Sequence, residues 1–118
     1  LPYMRLADVY LMYAEACAAY GGANASNGCN LTAADAINVL RDRVGAGHVA
    51  EKYLTDNRKF MDEIRRERAC ELAFEGHRFW DVRRLNVGKK FFESIEGSYR
   101  KWSDEYNFYP VPDERFRK

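Results

Sequence analysis

From Phe60 the chain carries a helical stripe that begins apolar and turns charged without changing face. Phe60 and Ile64 open it, and steps of three and four continue it to Glu67, Glu71, Glu75 and Arg78, with Arg68 alongside. A stripe that starts in a core cannot turn to solvent halfway along a straight helix. Its charges must therefore be paired, because an unpaired buried charge costs on the order of several kcal/mol. Arg5, Asp8 and Glu15 on the first helix are the candidate partners, together with Arg78, Arg83 and Arg84. The expectation is a structural ion-pair network of Arg5, Glu15, Glu67, Arg68, Glu71, Glu75 and Arg78, with Glu71 and Arg78 buried.

Glu67 and Glu71 also admit a chemical reading. One helical turn apart, they could form the carboxylate pair of a glycosidase. The arginines around them argue against it, since nearby cations lower carboxylate pKa values and remove any general acid. No catalytic residue is assigned.

The remaining elements are helical as well. Residues 3–20 carry only Arg5, Asp8 and Glu15 as charges and are apolar almost all round, so this helix is expected to be buried on most sides. Gly21-Gly22 stop it, and the small polar stretch to Asn30 reads as a mobile loop. Thr32, with Asp35 three residues on, caps a second helix whose buried stripe is Ile37, Leu40 and Val44, ended by Gly45 and Gly47. These two helices predict an antiparallel hairpin over 3–44, resembling one tetratricopeptide unit. A third helix starts near Thr55 or Asp56 and runs to Glu75, is interrupted at Gly76, and resumes to Leu85. Residues 89–101 read as a short helix, and the proline-containing tail from Tyr106 as extended chain. The fold class is all-α: a hairpin, a long broken helix over 57–85, and an irregular aromatic-rich C-terminal segment.

Composition narrows the function classes. The 118 residues suit a single domain, 1–118, with one core. The net charge of +1, with acids interleaved among the basic pairs, gives no reason for nucleic acid as partner. No apolar run approaches the roughly 20 residues of a membrane span, and the absence of an initiator Met suggests a piece of a longer protein. Cys17 and Cys70 read as small core residues and Cys29 as a loop thiol; three cysteines at unrelated spacings make neither a zinc site nor a disulfide framework. His48 and His77 lack partners at metal spacing, so neither is proposed as a ligand and no metal is expected. Aromatic residues cluster late. Trp102 and Tyr106 stand in a polar run and are the candidate ligand-binding rings, because an aromatic face suits the C–H face of a sugar; the others read as core packing.

Four blocks resemble a known family. The helix from Arg5, the segment from Ala33, the run from Ile64 with Glu67-Arg68, Glu71-Leu72, Glu75-Gly76, Arg78 and Asp81, and the closing aromatic–proline element from Phe108 follow in the order found in the C-terminal region of the SusD/RagB family. The resemblance implies a helical, non-catalytic lipoprotein on the outer face of the outer membrane of Bacteroidetes-type bacteria. Such proteins need no cofactor, capture oligosaccharides or peptides, and partner a SusC-like TonB-dependent transporter barrel. The lipid anchor would lie outside this chain, and the family's binding aromatics vary, so the resemblance transfers no ligand contact. Oligosaccharide capture is therefore the expected function. An intracellular tetratricopeptide-like peptide-binding domain and a glycoside hydrolase using Glu67 and Glu71 are the alternatives. A lipoprotein cysteine upstream, beside a gene for a barrel transporter, would separate them.

Overall fold

A computed structural model describes residues 3–95 and 101–108. Among these residues the chain is all-α with no strand. Its contacts group into two compact units, Leu1–Ala73 and Phe74–Lys118. The tail from Tyr106 was expected to be extended; Tyr106 and Asn107 instead belong to a 3-10 turn, and its proline-containing part after Phe108 lies outside the described residues, as do residues 96–100 of the expected last helix.

In the first unit, α1 (Leu6–Gly21) begins three residues later than its apolar pattern suggests. Arg5 is extended, at φ −108° and ψ 153°, and its side chain is drawn to the end of a distant helix, so Tyr3 and Met4 stay outside the helix and exposed. At the other end Gly22 takes φ 85° and its N–H donates to the Ala18 carbonyl. α2 (Ala33–Val44) carries the expected capping box. The Asp35 N–H donates to Thr32 Oγ1 at 3.1 Å, and the Thr32 N–H to Asp35 Oδ2 at 3.2 Å. Gly45, in the left-handed region, ends it. Ile37 and Leu40 are buried, but Val44 is exposed: it is the last helical residue and projects past the contact with α1.

The stretch between α1 and α2, read as a mobile loop, is tied down. The Tyr13 hydroxyl lies 2.8 Å from the Ser26 carbonyl and 2.5 Å from that of Leu31, while the Ala33 and Ala34 N–H groups donate to the Ala25 and Ala23 carbonyls. Ala23 is itself buried.

A one-turn helix, α3 (Glu51–Leu54), precedes α4 and was not foreseen. Tyr53 and Leu54 pack its edge against the core, and the Val49 N–H bonds the Asn38 side chain. α4 (Asn57–Glu71) starts where Asp56 accepts from the N–H groups of Arg58 and Lys59. It stops four residues earlier than expected. Leu72 turns inward and is buried, and Phe74 and Gly76 follow at φ 64° and 84°, conformations that no α-helix can include.

The core lies where α1 packs on α2 and α4. Leu11, Ile37, Phe60 and Ile64 are its largest enclosed side chains, each contributing about 1.5–3 kcal/mol by burial. Ala14, Ala18, Ala33 and Ala36, with no exposed surface, let the helix backbones approach closely. α1 is not buried on most sides: Leu6, Val9, Met12 and Tyr20 are exposed, because α2 and α4 cover one face. Cys17 is a core residue as expected. Cys70 is exposed, on the outer side of α4, as is Cys29 in its loop.

The second unit holds α5 (His77–Arg84), α6 (Gly88–Glu93) and a 3-10 turn over Asp104–Asn107. The 3-10 turn packs on α5, and Asn107 donates from its side chain to that of Asn86, which itself adopts φ 51°. No described helix is long and apolar enough to cross a membrane.

Candidate functional site

Two features of this fold bring chemistry-bearing residues together, one in each unit. The first is the ion-pair lattice of residues 1–73. Arg68 Nη1 stands 2.6 Å from Asp8 Oδ1, both side chains almost fully enclosed, linking α4 to α1. Glu71, at the end of α4, receives two arginines. Arg5 donates to its carboxylate at 3.1 Å and to its carbonyl at 2.8 Å, and Arg43 of α2 donates to both carboxylate oxygens at 2.7 and 2.9 Å. Arg41 lies 3.6 Å from Glu67 and 3.7 Å from Glu63, and Glu63 also pairs with Arg66 one turn along. That carboxylate holds the Arg66 guanidinium above its ordinary value.

Several sequence expectations change here. Arg41, Arg43 and Glu63 were missed; the concentration of arginine in the last turn of α2 was the available signal. Arg78 was expected buried and ion-paired. It is exposed, with its guanidinium 4.4 Å from the centroid of the Phe91 ring, because α4 ends before reaching it. Glu75 was placed on the buried stripe and instead stands exposed in the turn that follows α4. Glu15 is half-buried on α1. The expected lowering of Glu67 does not hold either. Burial pushes its carboxyl up and outweighs the opposing pull of Arg41, with Glu63 adding to the rise. Its surroundings are the charges of the lattice.

The second feature is a set of late aromatic rings. Trp102 stacks on Phe92 with centroids 5.3 Å apart and planes 13° from parallel, and Tyr106 meets Trp102 edge-on at 5.6 Å. Phe91 stands edge-on to Phe92. Trp102 can lie flat here because residue 88 has no side chain: a methyl group built on Gly88 would overlap the six-membered ring of the indole. Beside these rings opens a cavity of about 370 Å³, lined by Arg83, Phe92, Lys101, Trp102 and Tyr106. Trp102 and Tyr106 are thus brought to one wall. Arg83, Phe92 and Lys101 were not foreseen there, since only the return of residues 101–107 onto α5 and α6 brings them close.

Arg83 is held in place by its own helix. Its Nη1 donates to the Phe79 carbonyl at 2.9 Å, and its guanidinium carbon lies 3.6 Å from the Phe79 ring centroid and 6.0 Å from that of Trp102. Nε of Arg83 and Nε1 of Trp102 are buried without a hydrogen-bond partner among the described residues. A flat indole, an edge-on phenol and two cations can take an amphipathic ligand, with ring contact for its apolar face and donors for its oxygens. No group of His, Cys, Asp and Glu side chains among the described residues has the arrangement to hold a metal ion.

The sequence profile of the SusD family matches residues 1–117. SusD-like protein P25 of Formosa agariphila is 36% identical over 107 residues, which cover 90% of this chain and 19% of that protein, so the chain spans about a fifth of its relative's length. No solved structure matches. Proteins of this family serve nutrient uptake by binding glycans, are typically associated with the outer membrane, and are generally non-catalytic. With the profile covering all but the last residue and an all-α structure to accompany it, the chain belongs to the SusD/RagB family.

Proposed function

We propose that this chain supplies a glycan-stacking wall to a non-catalytic nutrient-binding protein of the outer membrane, which captures oligosaccharides and passes them to a SusC-like TonB-dependent transporter barrel. Attachment to the membrane would come from a lipid anchor outside this chain. The observation that carries this reading is the cavity walled by Trp102 and Tyr106. A pyranose presents a C–H face that packs on an indole, and its hydroxyls exchange water for protein donors with little net gain. Ring contact is then the main term and affinity stays modest. Modest affinity suits a protein that must release its cargo. Glu71 accepts from both Arg5 and Arg43, so Glu67 has no free carboxylate one turn away with which to form a hydrolytic pair, and this supports binding without turnover.

Calorimetric titration of the full-length protein with a panel of plant and host oligosaccharides tests this. Trp102→Ala is expected to weaken binding about tenfold or more, while Trp102→Phe retains part of it. Tyr106 is half exposed, and Tyr106→Ala should weaken binding with little change in melting temperature. Glycan binding indifferent to all three substitutions would place the site elsewhere. New reducing ends that vanish in Glu71→Gln would replace capture with hydrolysis.

A further inference from the structure

We propose that the Trp102 cavity selects acidic oligosaccharides, sugars bearing carboxylate or sulfate groups, and that Arg83 and Lys101 are the residues that read the charge. This rests on the glycan-capture reading above and adds the ligand class.

The inference starts from which arginines have partners. In the first unit Arg5, Arg41, Arg43, Arg65, Arg66 and Arg68 each face a carboxylate of the chain within 4.0 Å. In the second unit Arg84 takes the nearby acid, Asp81, at 3.1 Å. Arg83, its neighbour in sequence, has no carboxylate among the described residues, and neither has Lys101. Both nonetheless line one cavity, and no acidic side chain is among its described lining residues. Two cations with no carboxylate beside them among the described residues, at one partly enclosed site, repel each other and raise the local potential, and an anion entering between them removes that cost.

Arg83 is also pre-oriented. The Phe79 ring and carbonyl fix the guanidinium, so it loses little freedom on binding. A guanidinium presents parallel N–H donors that match the two oxygens of a carboxylate or sulfate. Lys101 is exposed and adds a mobile point charge. The indole and phenol take the sugar ring, and the cations take its acidic substituent. A neutral sugar would use the first set and leave the second unanswered.

The test uses full-length protein and three probes: a short oligogalacturonide, the same oligosaccharide fully methyl-esterified, and a sulfated galacto-oligosaccharide. At low salt, at least one acidic probe is expected to bind about tenfold or more tightly than the neutral ester. That preference should shrink as salt rises, and Trp102→Ala should weaken binding of acidic and neutral probes alike. Arg83→Gln and Lys101→Gln should each collapse the ratio of acidic to neutral affinity. Lys101 is exposed, so its variant remains informative if Arg83→Gln does not fold. Preference for only one acidic probe supports the proposal and identifies the substituent. Equal affinity for acidic and neutral probes overturns the charge reading and leaves glycan capture standing. An acidic preference that survives both charge substitutions overturns it as well, because the charge is then read elsewhere. Absence of binding to any of the three, with none on the wider panel, overturns both readings.

Discussion

In residues 1–73 six arginines, all but Arg58, end on carboxylates, whereas in the described part of the second unit two, Arg78 and Arg83, end on aromatic rings. The pairings have different consequences. An arginine enclosed with an acid is closed to anything else, and because each pair ties two particular helices, the pattern fixes which faces meet. Arg68 with Asp8 sets α4 on α1, and Arg5 and Arg43 converge on the end of α4 from two directions. An arginine laid on a ring keeps its full charge and most of its donors. The same residue type therefore serves specification of the fold in one unit and is left available for a ligand in the other.

The sharpest way to break this contrast is to remove an acid from the lattice. Asp8→Ala leaves Arg68 enclosed with its principal countercharge gone and should cost about 3–5 kcal/mol in chemical denaturation of the full-length protein. A cost near that of an innocuous surface change, about 0.5 kcal/mol, would show that the pair is hydrated. Gly88→Ala attacks the other side. The added methyl displaces Trp102 from its seat, and glycan affinity is expected to fall about tenfold, equivalent to about 1.4 kcal/mol. The lattice should be untouched, so the unfolding transition of the first unit should stay in place; retention of full affinity would show that the seated indole is not the binding face. Arg78→Ala should be milder still, within about 0.5–1 kcal/mol, the worth of an exposed cation–π contact. A loss comparable to Asp8→Ala would reveal a hidden ion pair and dissolve the distinction between the units.

The smallest effect concerns pH. The Glu67 carboxyl is raised in the folded chain, so the folded state holds that proton more tightly than the unfolded one. Its stabilising contribution is present below the ordinary carboxylate range and is lost as pH rises through the raised value. The difference in denaturation midpoint between Glu67→Gln and the unaltered protein should therefore shift in favour of the variant as pH rises from about 4 to 7. A shift in the opposite direction would mean that Arg41 outweighs burial at Glu67.

Much of the first unit could be read in the sequence because its signals are local. Thr32 with Asp35 and Asp56 before Asn57 mark helix starts by side chains that bond N–H groups two or three residues on, and Gly22 and Gly45 mark stops. The stripe from Phe60 identified buried charge, and its first four members stayed on the inside or at its margin. The stripe then failed at Leu72, because periodicity assumes that the helix continues, and nothing about a phenylalanine at position 74 announces a left-handed backbone. The misplacement of Glu75 and Arg78 follows from that single error. The cavity was only half legible. Trp102 and Tyr106 stood out against polar neighbours, but Phe92 and Arg83 meet Trp102 only in the folded chain, and no periodicity encodes a stacking partner ten residues away.

Phe74 has a further consequence. It is fully exposed and sits at φ 64°, a conformation that costs a residue with a bulky side chain about 1–2 kcal/mol. Its peptide group lies at the boundary between the two units, in a turn rather than a helix. A chymotrypsin-type protease, which cuts after aromatic residues, needs a solvent-facing ring on non-helical backbone, and this one is presented ready. Brief digestion should nick the chain after residue 74 before it reaches enclosed rings such as Phe60. Phe74→Gly, which suits the same backbone without strain, should both abolish that cut and raise the unfolding midpoint. A residue in the turn just past α4 would thus also set how long the chain survives intact among proteases.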